Sequence, residues 1–120
     1  MQQTINNIKN WAVARGLDTA DPKAQMCKLM EEAGELATAI NKGRGEEDIA
    51  DAIGDCVVVL TILGMQTGVD IEASVHAAYE EIKDRKGMMI GGVFVKDGDE
   101  SLEYAEAKRW QAMMEREYER

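Results

Sequence analysis

Ala52-Ile53-Gly54-Asp55-Cys56-Val57-Val58-Val59-Leu60-Thr61-Ile62-Leu63-Gly64-Met65 is the stretch on which the fold turns. Wound as a helix at about 100° per residue, it is apolar nearly all round, which marks a central helix rather than a surface one. The pattern runs from near Glu46 to about Gln66, with Gly68 just beyond its end. Asp48, Asp51 and Asp55 fall on one stripe of this helix, and Val58 and Ile62 continue that stripe. Asp55 is therefore expected to point where its own helix is dry. A buried carboxylate without a partner costs several kcal/mol or takes up a proton, so Asp55 needs company.

The flanking sequence supplies helices for it to pack against. Asp21-Pro22 is a helix start, a capping side chain followed by proline at the first helical position, and that helix runs to about Lys42 before Gly43-Arg44-Gly45. Met26, Leu29, Met30, Ala33, Leu36, Ala37 and Ile40 form its apolar arc, which Gln25, Lys28, Glu32 and Glu35 border as a polar stripe, while Glu31 points elsewhere. Upstream, Ile5, Ile8, Trp11, Ala12 and Val13 recur at helical spacing between Thr4 and about Arg15, and Gly16 ends the run. Downstream, Asp70 can cap a fourth helix that continues to about Lys86. Met88-Met89-Ile90 and Val93-Phe94-Val95 then read as short strands about the turn Gly91-Gly92, and residues from about 101 to 118 as a last, highly charged helix. The expected fold is all-α: one domain over residues 1–120, an antiparallel bundle of about four helices centred on 20–90, with a hairpin near 88–96 and a final helix.

Composition narrows the partners. Apolar residues at 45 % and charged residues at 31 % suit a globular domain, and no apolar run approaches the ~20 residues that span a bilayer, so no membrane partner is expected. A net charge of −9 disfavours binding to nucleic acid, which repels it, but leaves a phosphate ligand open if a cation stands between. Cys27 and Cys56 lie in helical patterns and read as reduced thiols, which with the lack of a signal peptide places the expected location in the cytoplasm.

Two kinds of partner suit Asp55. One is a salt bridge to Lys28, Lys83 or Arg85. The other is a divalent cation shared with Glu32 and Glu35, which are three residues apart and hence neighbours on their helix. Hard oxygen ligands from facing helices suit Mg2+, or Mn2+, and Mg2+ would retain waters and substrate phosphates as its other ligands. Gln25, one turn before Lys28, could contact a base or ribose or simply be solvated, and Trp11 could stack on a base or bury the first helix. His76 stands alone, without the His or Cys partners that a zinc or di-iron site wants. Glu46 and Glu47 read as first-turn acids that favour the positive end of the helix dipole.

The run Lys28-Leu29-Met30-Glu31-Glu32-Ala33-Gly34-Glu35-Leu36 resembles the Glu-Glu-x-x-Glu motif of MazG-type nucleotide pyrophosphohydrolases of the all-α NTP pyrophosphatase superfamily, phage and bacterial members above all. That family follows with Glu-x-x-Asp on the next helix. Here Asp55 fills the aspartate slot, Ala52 replaces the glutamate, and Asp51 lies one position earlier. Glu80-Glu81-Ile82-Lys83-Asp84-Arg85-Lys86-Gly87 resembles the basic segment that contacts substrate in the family. The resemblance implies a hydrolase that cleaves a nucleoside triphosphate between the α and β phosphates, giving monophosphate and pyrophosphate. It implies metal ligation by Glu32, Glu35, Asp51 and Asp55, water activation within Glu31, Glu32 and Glu35, and substrate binding by Lys28, Lys83 and Arg85. The competing reading, motivated by Ala52, is a non-catalytic helical interaction module with a degenerate site. A thin bundle around so apolar a helix also predicts self-association as a homodimer or homotetramer.

Overall fold

The computed structural model describes residues 1–98 and 102–118. Among them run α1 (Gln2–Ala14), a 3-10 turn (Leu17–Thr19), α2 (Pro22–Asn41), α3 (Glu46–Thr67), α4 (Ile71–Ile82), β1 (Gly87–Ile90), β2 (Val93–Lys96) and α5 (Leu102–Tyr118). The fold is all-α with one small hairpin, as the periodicity predicts. Ser101, at the expected start of the last helix, lies outside the described residues. The chain divides into two compact units, Met1–His76 and Ala77–Arg120.

In the first unit α2 and α3 form the principal pair, joined by the short turn after Asn41, and α1 with its 3-10 turn packs on α3. The sequence punctuates each helix locally. Asp21 accepts a hydrogen bond from the Lys23 backbone N–H at 2.9 Å ahead of Pro22, capping α2. Glu46, Glu47 and Asp48 fill the first turn of α3, where the helix dipole favours negative charge. That helix closes at Gly68 (φ 74°), and the Val69 N–H reaches back to the Gly64 carbonyl at 2.8 Å. A Cβ on Gly64 would stand 2.5 Å from the Val69 carbonyl oxygen, so only glycine permits this closure. Asp70 accepts from the Ala73 N–H at 2.9 Å and pairs with Lys9 at 2.8 Å, tying the start of α4 to α1.

The core of this unit is narrow: Ile5, Ala12, Ala39, Ala52, Val59 and Ile62, with Thr61, whose hydroxyl donates to the Val57 carbonyl at 2.8 Å. The face of α2 turned to the protein interior differs from the expected arc. Glu32 and Ala39 are buried and Gln25, Leu29 and Leu36 half-buried, whereas Met26, Met30, Ala33, Ala37 and Ile40 are exposed. The polar stripe thus faces inward at Glu32, and most of the apolar arc faces out. The exposed set advances in alternating steps of four and three residues, the spacing of a coiled-coil seam, and Met30 is 63 % exposed. On α3, Ile53 and Leu60 are likewise exposed, although every other residue from Asp55 to Gln66 is at least half-buried. Cys27 is exposed and Cys56 half-buried, and both are free thiols.

In the second unit β1 and β2 pair antiparallel, Ile90 opposite Val93 and Gly87 opposite Lys96. Gly91 (φ 58°) and Gly92 (φ 81°) make the two-residue turn, since a type I′ hairpin needs positive φ at both central positions. Ile90 is buried and β1 contacts α5. The expected fourth helix is shortened: it ends at Ile82 instead of near Lys86. The four charged residues that follow offer no apolar side chain to dock, and the Lys86 carbonyl is taken by the Asp97 N–H at 2.8 Å, which extends the hairpin ladder.

Candidate metal centre

The inward turn of Glu32 decides the chemistry of the α2–α3 seam. Glu32 on α2 is 7 % exposed, a burial that carboxylates rarely tolerate unpaired. Glu35, one turn on, is at the exposed rim, and Asp55 on α3 is half-buried. One carboxylate oxygen from each of these three lies within 4.8 Å of the other two. The stripe that carries Asp55 therefore meets the Glu32–Glu35 edge of α2, as the helical spacing predicts.

This grouping is electrostatically uncomfortable. Burial pushes the Asp55 carboxyl above its ordinary value of 3.8, the negative charges of Asp51 and Glu32 push it further, and the Lys28 ammonium only partly opposes them. Lys28 reaches Glu32 Oε1 at 3.2 Å and Glu31 Oε2 at 3.5 Å. Those two carboxylates, Glu32 first, raise the lysine's pKa in turn. The salt bridge to Lys28 thus forms with Glu32 and Glu31. It leaves Glu32 Oε2 buried with no hydrogen-bond partner. An orphaned buried carboxylate oxygen beside two more carboxylates is the donor set a hard divalent cation wants: negative, oxygen-only and contributed from two helices. The residues fit the metal.

The other residues singled out by sequence fall around or apart from this cluster. Asp51 is exposed and acts on Asp55 through its charge, while Asp48 is exposed one turn further back. Ala52, in the glutamate slot of the family motif, is buried in the core. Gln25 is half-buried on the inward face of α2, two turns before Glu32. Glu31 is exposed beside Lys28. In the second unit Lys83 pairs with Glu80 at 2.6 Å and Arg85 with Glu81 at 3.6 Å, both beyond the end of α4. Sequence spacing did not single out Asn7, which lines a groove with Trp11 and Val58; the available signal was a polar residue set into the apolar stripe of α1.

Fold and site together define an all-helical protein with a three-carboxylate cluster suited to a divalent cation. Residues 20–89 match the model of the MazG nucleotide pyrophosphohydrolase domain, and the chain belongs to that family. It is also similar to an uncharacterized 18.2 kDa protein of the rep-hol intergenic region of Haemophilus phage HP1 (strain HP1c1), at 45 % identity over 71 residues, 58 % of this chain and 43 % of that protein. The matched segment thus spans less than half of the phage protein's length. No solved structure gives a significant match.

Asp55→Asn separates the metal's contribution from the fold's. With its folded pKa raised, Asp55 contributes stability that is present in full below the unfolded value and lost as pH rises through the folded one. At neutral pH the metal-free Asp55→Asn protein is therefore expected to melt slightly above wild type. Mn2+ at 100 times its Kd should stabilise wild type by about 2.7 kcal/mol and the variant far less. Because the raised pKa makes protonation compete with the cation, metal stabilisation should begin to fade at a higher pH than an ordinary carboxylate would allow. Melting curves with and without Mn2+ across a pH series check all three, and equal metal stabilisation of both proteins would contradict the assignment.

Proposed function

We propose that this chain is a divalent-metal-dependent nucleoside triphosphate pyrophosphohydrolase that releases nucleoside monophosphate and pyrophosphate. The observation that carries the reading is the buried Glu32 Oε2 without a hydrogen-bond partner, set against Glu35 and Asp55. Membership in the pyrophosphohydrolase family supports it. Glu32, Glu35 and Asp55 would hold Mg2+ or Mn2+, with Asp51 adding negative charge nearby. Such a cation, once bound, neutralises phosphate oxygens and lowers the pKa of a water.

The chain's own groups do the rest. A carboxylate among Glu31, Glu32 and Glu35 orients the attacking water and accepts its proton; Glu31, exposed on the same turn, is the one not needed as a ligand. Lys28, held at 3.2 Å from Glu32, sits at the margin of the cluster and supplies positive charge to phosphate oxygens that approach it. Gln25 is assigned to the sugar or base. Lys83 and Arg85, carried over from the family, are assigned to the outer phosphates, where developing negative charge on the leaving pyrophosphate needs cations. Phosphoryl chemistry of this kind is mainly positioning and charge neutralisation, so no Ser, Cys or His nucleophile is called for.

The seam of Met26, Met30, Ala33, Ala37 and Ile40, with Ile53 and Leu60 beside it, supports self-association through α2 and α3. Homodimer or homotetramer, the assembly would cover this seam together with Ile53 and Leu60 on α3. Sedimentation should find an oligomer in the wild type and a monomer in Met30→Glu; a monomeric wild type contradicts this.

For the activity itself, pyrophosphate release from a panel of ribo- and deoxyribonucleoside triphosphates should require Mg2+ or Mn2+ and stop with a chelator. Glu32→Gln should lower the rate by about 100-fold or more. A protein that binds metal and nucleotide yet releases no pyrophosphate from any member of the panel would instead support the non-catalytic module, whose structural motive is the buried Ala52 in the glutamate slot.

A further inference from the structure

Lys28 is a cation that the carboxylate cluster already has. It lies on α2 one turn before Glu32, and its ammonium is 3.2 Å from Glu32 Oε1 and 3.5 Å from Glu31 Oε2. Its charge also opposes the crowding at Asp55 on α3. The two pairings differ in kind. Glu32 is buried, so its charge depends on protein partners rather than on water. The Glu31 side chain is 67 % exposed, and water solvates it whether or not the lysine is near.

Helix geometry gives the lysine a choice between them. Glu31 and Glu32 stand three and four residues after Lys28, the two spacings at which side chains on one helix meet. The ammonium can therefore pass from one carboxylate to the other by turning about its flexible four-carbon stem, with the backbone fixed. The Lys28 side chain is 53 % exposed, so packing does not hold the stem against that turn.

Charge decides when it passes. Glu32, Glu35 and Asp55 bring three carboxylates together, and a single ammonium offsets one negative charge. Lys28 engages Glu32 Oε1 and leaves Oε2 buried without a partner. A divalent cation seated on that oxygen would repel an ammonium on the other oxygen of the same carboxylate. Glu31, beside the cluster and not part of it, is placed to receive the displaced charge. We propose that Lys28 is an exchangeable counter-ion, which neutralises Glu32 in the metal-free protein and moves to Glu31 when a divalent cation binds. Lys28 is then a positioning residue that acts through Glu32 and sets the affinity for the metal. An exposed ion pair is weak, so the ammonium on Glu31 stays available to phosphate oxygens. The inference rests on the metal-dependent reading of the cluster and adds the residues that govern loading of the ion.

Melting curves and Mn2+ titrations followed by electron paramagnetic resonance test this on the full chain. Metal-free Lys28→Met should melt below wild type, because buried Glu32 loses its salt bridge. The same variant should bind Mn2+ roughly ten-fold more tightly, since a unit positive charge has left the neighbourhood of a divalent ion. Opposite signs in the two measurements are what a merely structural lysine would not give. Lys28→Arg keeps the charge, so it should restore the melting temperature and hold Mn2+ affinity at or below that of wild type. Glu31→Gln should weaken Mn2+ binding several-fold when Lys28 is present and far less in Lys28→Met, because a receiver matters only when there is an ammonium to receive. Mn2+ affinity that falls or stays level in Lys28→Met overturns the inference and leaves the metal centre standing. Equal effects of Glu31→Gln in both backgrounds overturn the transfer to Glu31. Failure of wild type to bind Mn2+ at all overturns the metal centre and this inference together. These readouts need no turnover, so a protein that behaves as described yet releases no pyrophosphate overturns the enzymatic reading alone.

Discussion

Three carboxylates crowd the seam between α2 and α3, and one of their oxygens, Glu32 Oε2, is buried without a partner. Lys28 relieves part of the charge from the side, but it engages the other Glu32 oxygen and the exposed Glu31. A seam of this kind carries an electrostatic cost, expressed in the upward displacement of the Asp55 pKa by burial and by the charges of Asp51 and Glu32. Functional sites are where such conflicts are retained, because the ligand that resolves them is also the one the chemistry needs.

The same rotation of α2 that turns Glu32 inward turns Met26, Met30, Ala33, Ala37 and Ile40 outward. Site and seam are thus two consequences of one packing choice. The helix spends its small and half-polar face on α3 and keeps its most apolar face for something else. Burial in the first unit is correspondingly thin, with only a handful of fully enclosed side chains along α1, α2 and α3. A cation at one edge and a second copy at the other would each remove a defect that the isolated protomer carries.

Much of this was legible in the residues because helix periodicity is a backbone property. The stripe of Asp48, Asp51, Asp55, Val58 and Ile62, the i, i+3 pair Glu32 and Glu35, the Asp21-Pro22 cap and the Gly91-Gly92 turn all follow from local geometry. The orientation of α2 was not legible: its apolar arc is broad enough to serve either an internal or an external partner, and period alone does not choose between them. The end of α4 was missed for a similar reason. Lys83, Asp84, Arg85 and Lys86 are compatible with helix, but the hairpin claims the Lys86 carbonyl for Asp97. The family resemblance pointed to Glu32, Glu35 and Asp55, whose carboxylates lie close together, while Ala52 marks where this chain departs from the motif and where Asp51 adds charge from the surface instead.

The central claim is that the crowded carboxylates exist to share a cation. The most direct measurement is anomalous diffraction from crystals grown with Mn2+. The account predicts a strong anomalous peak bonded to oxygens of Glu32, Glu35 and Asp55 at roughly 2.0–2.2 Å, with Glu32 Oε2 among the ligands and Lys28 displaced toward Glu31. An empty α2–α3 seam, with the Lys28 ammonium still seated on Glu32 and manganese bound elsewhere on the surface, would contradict it.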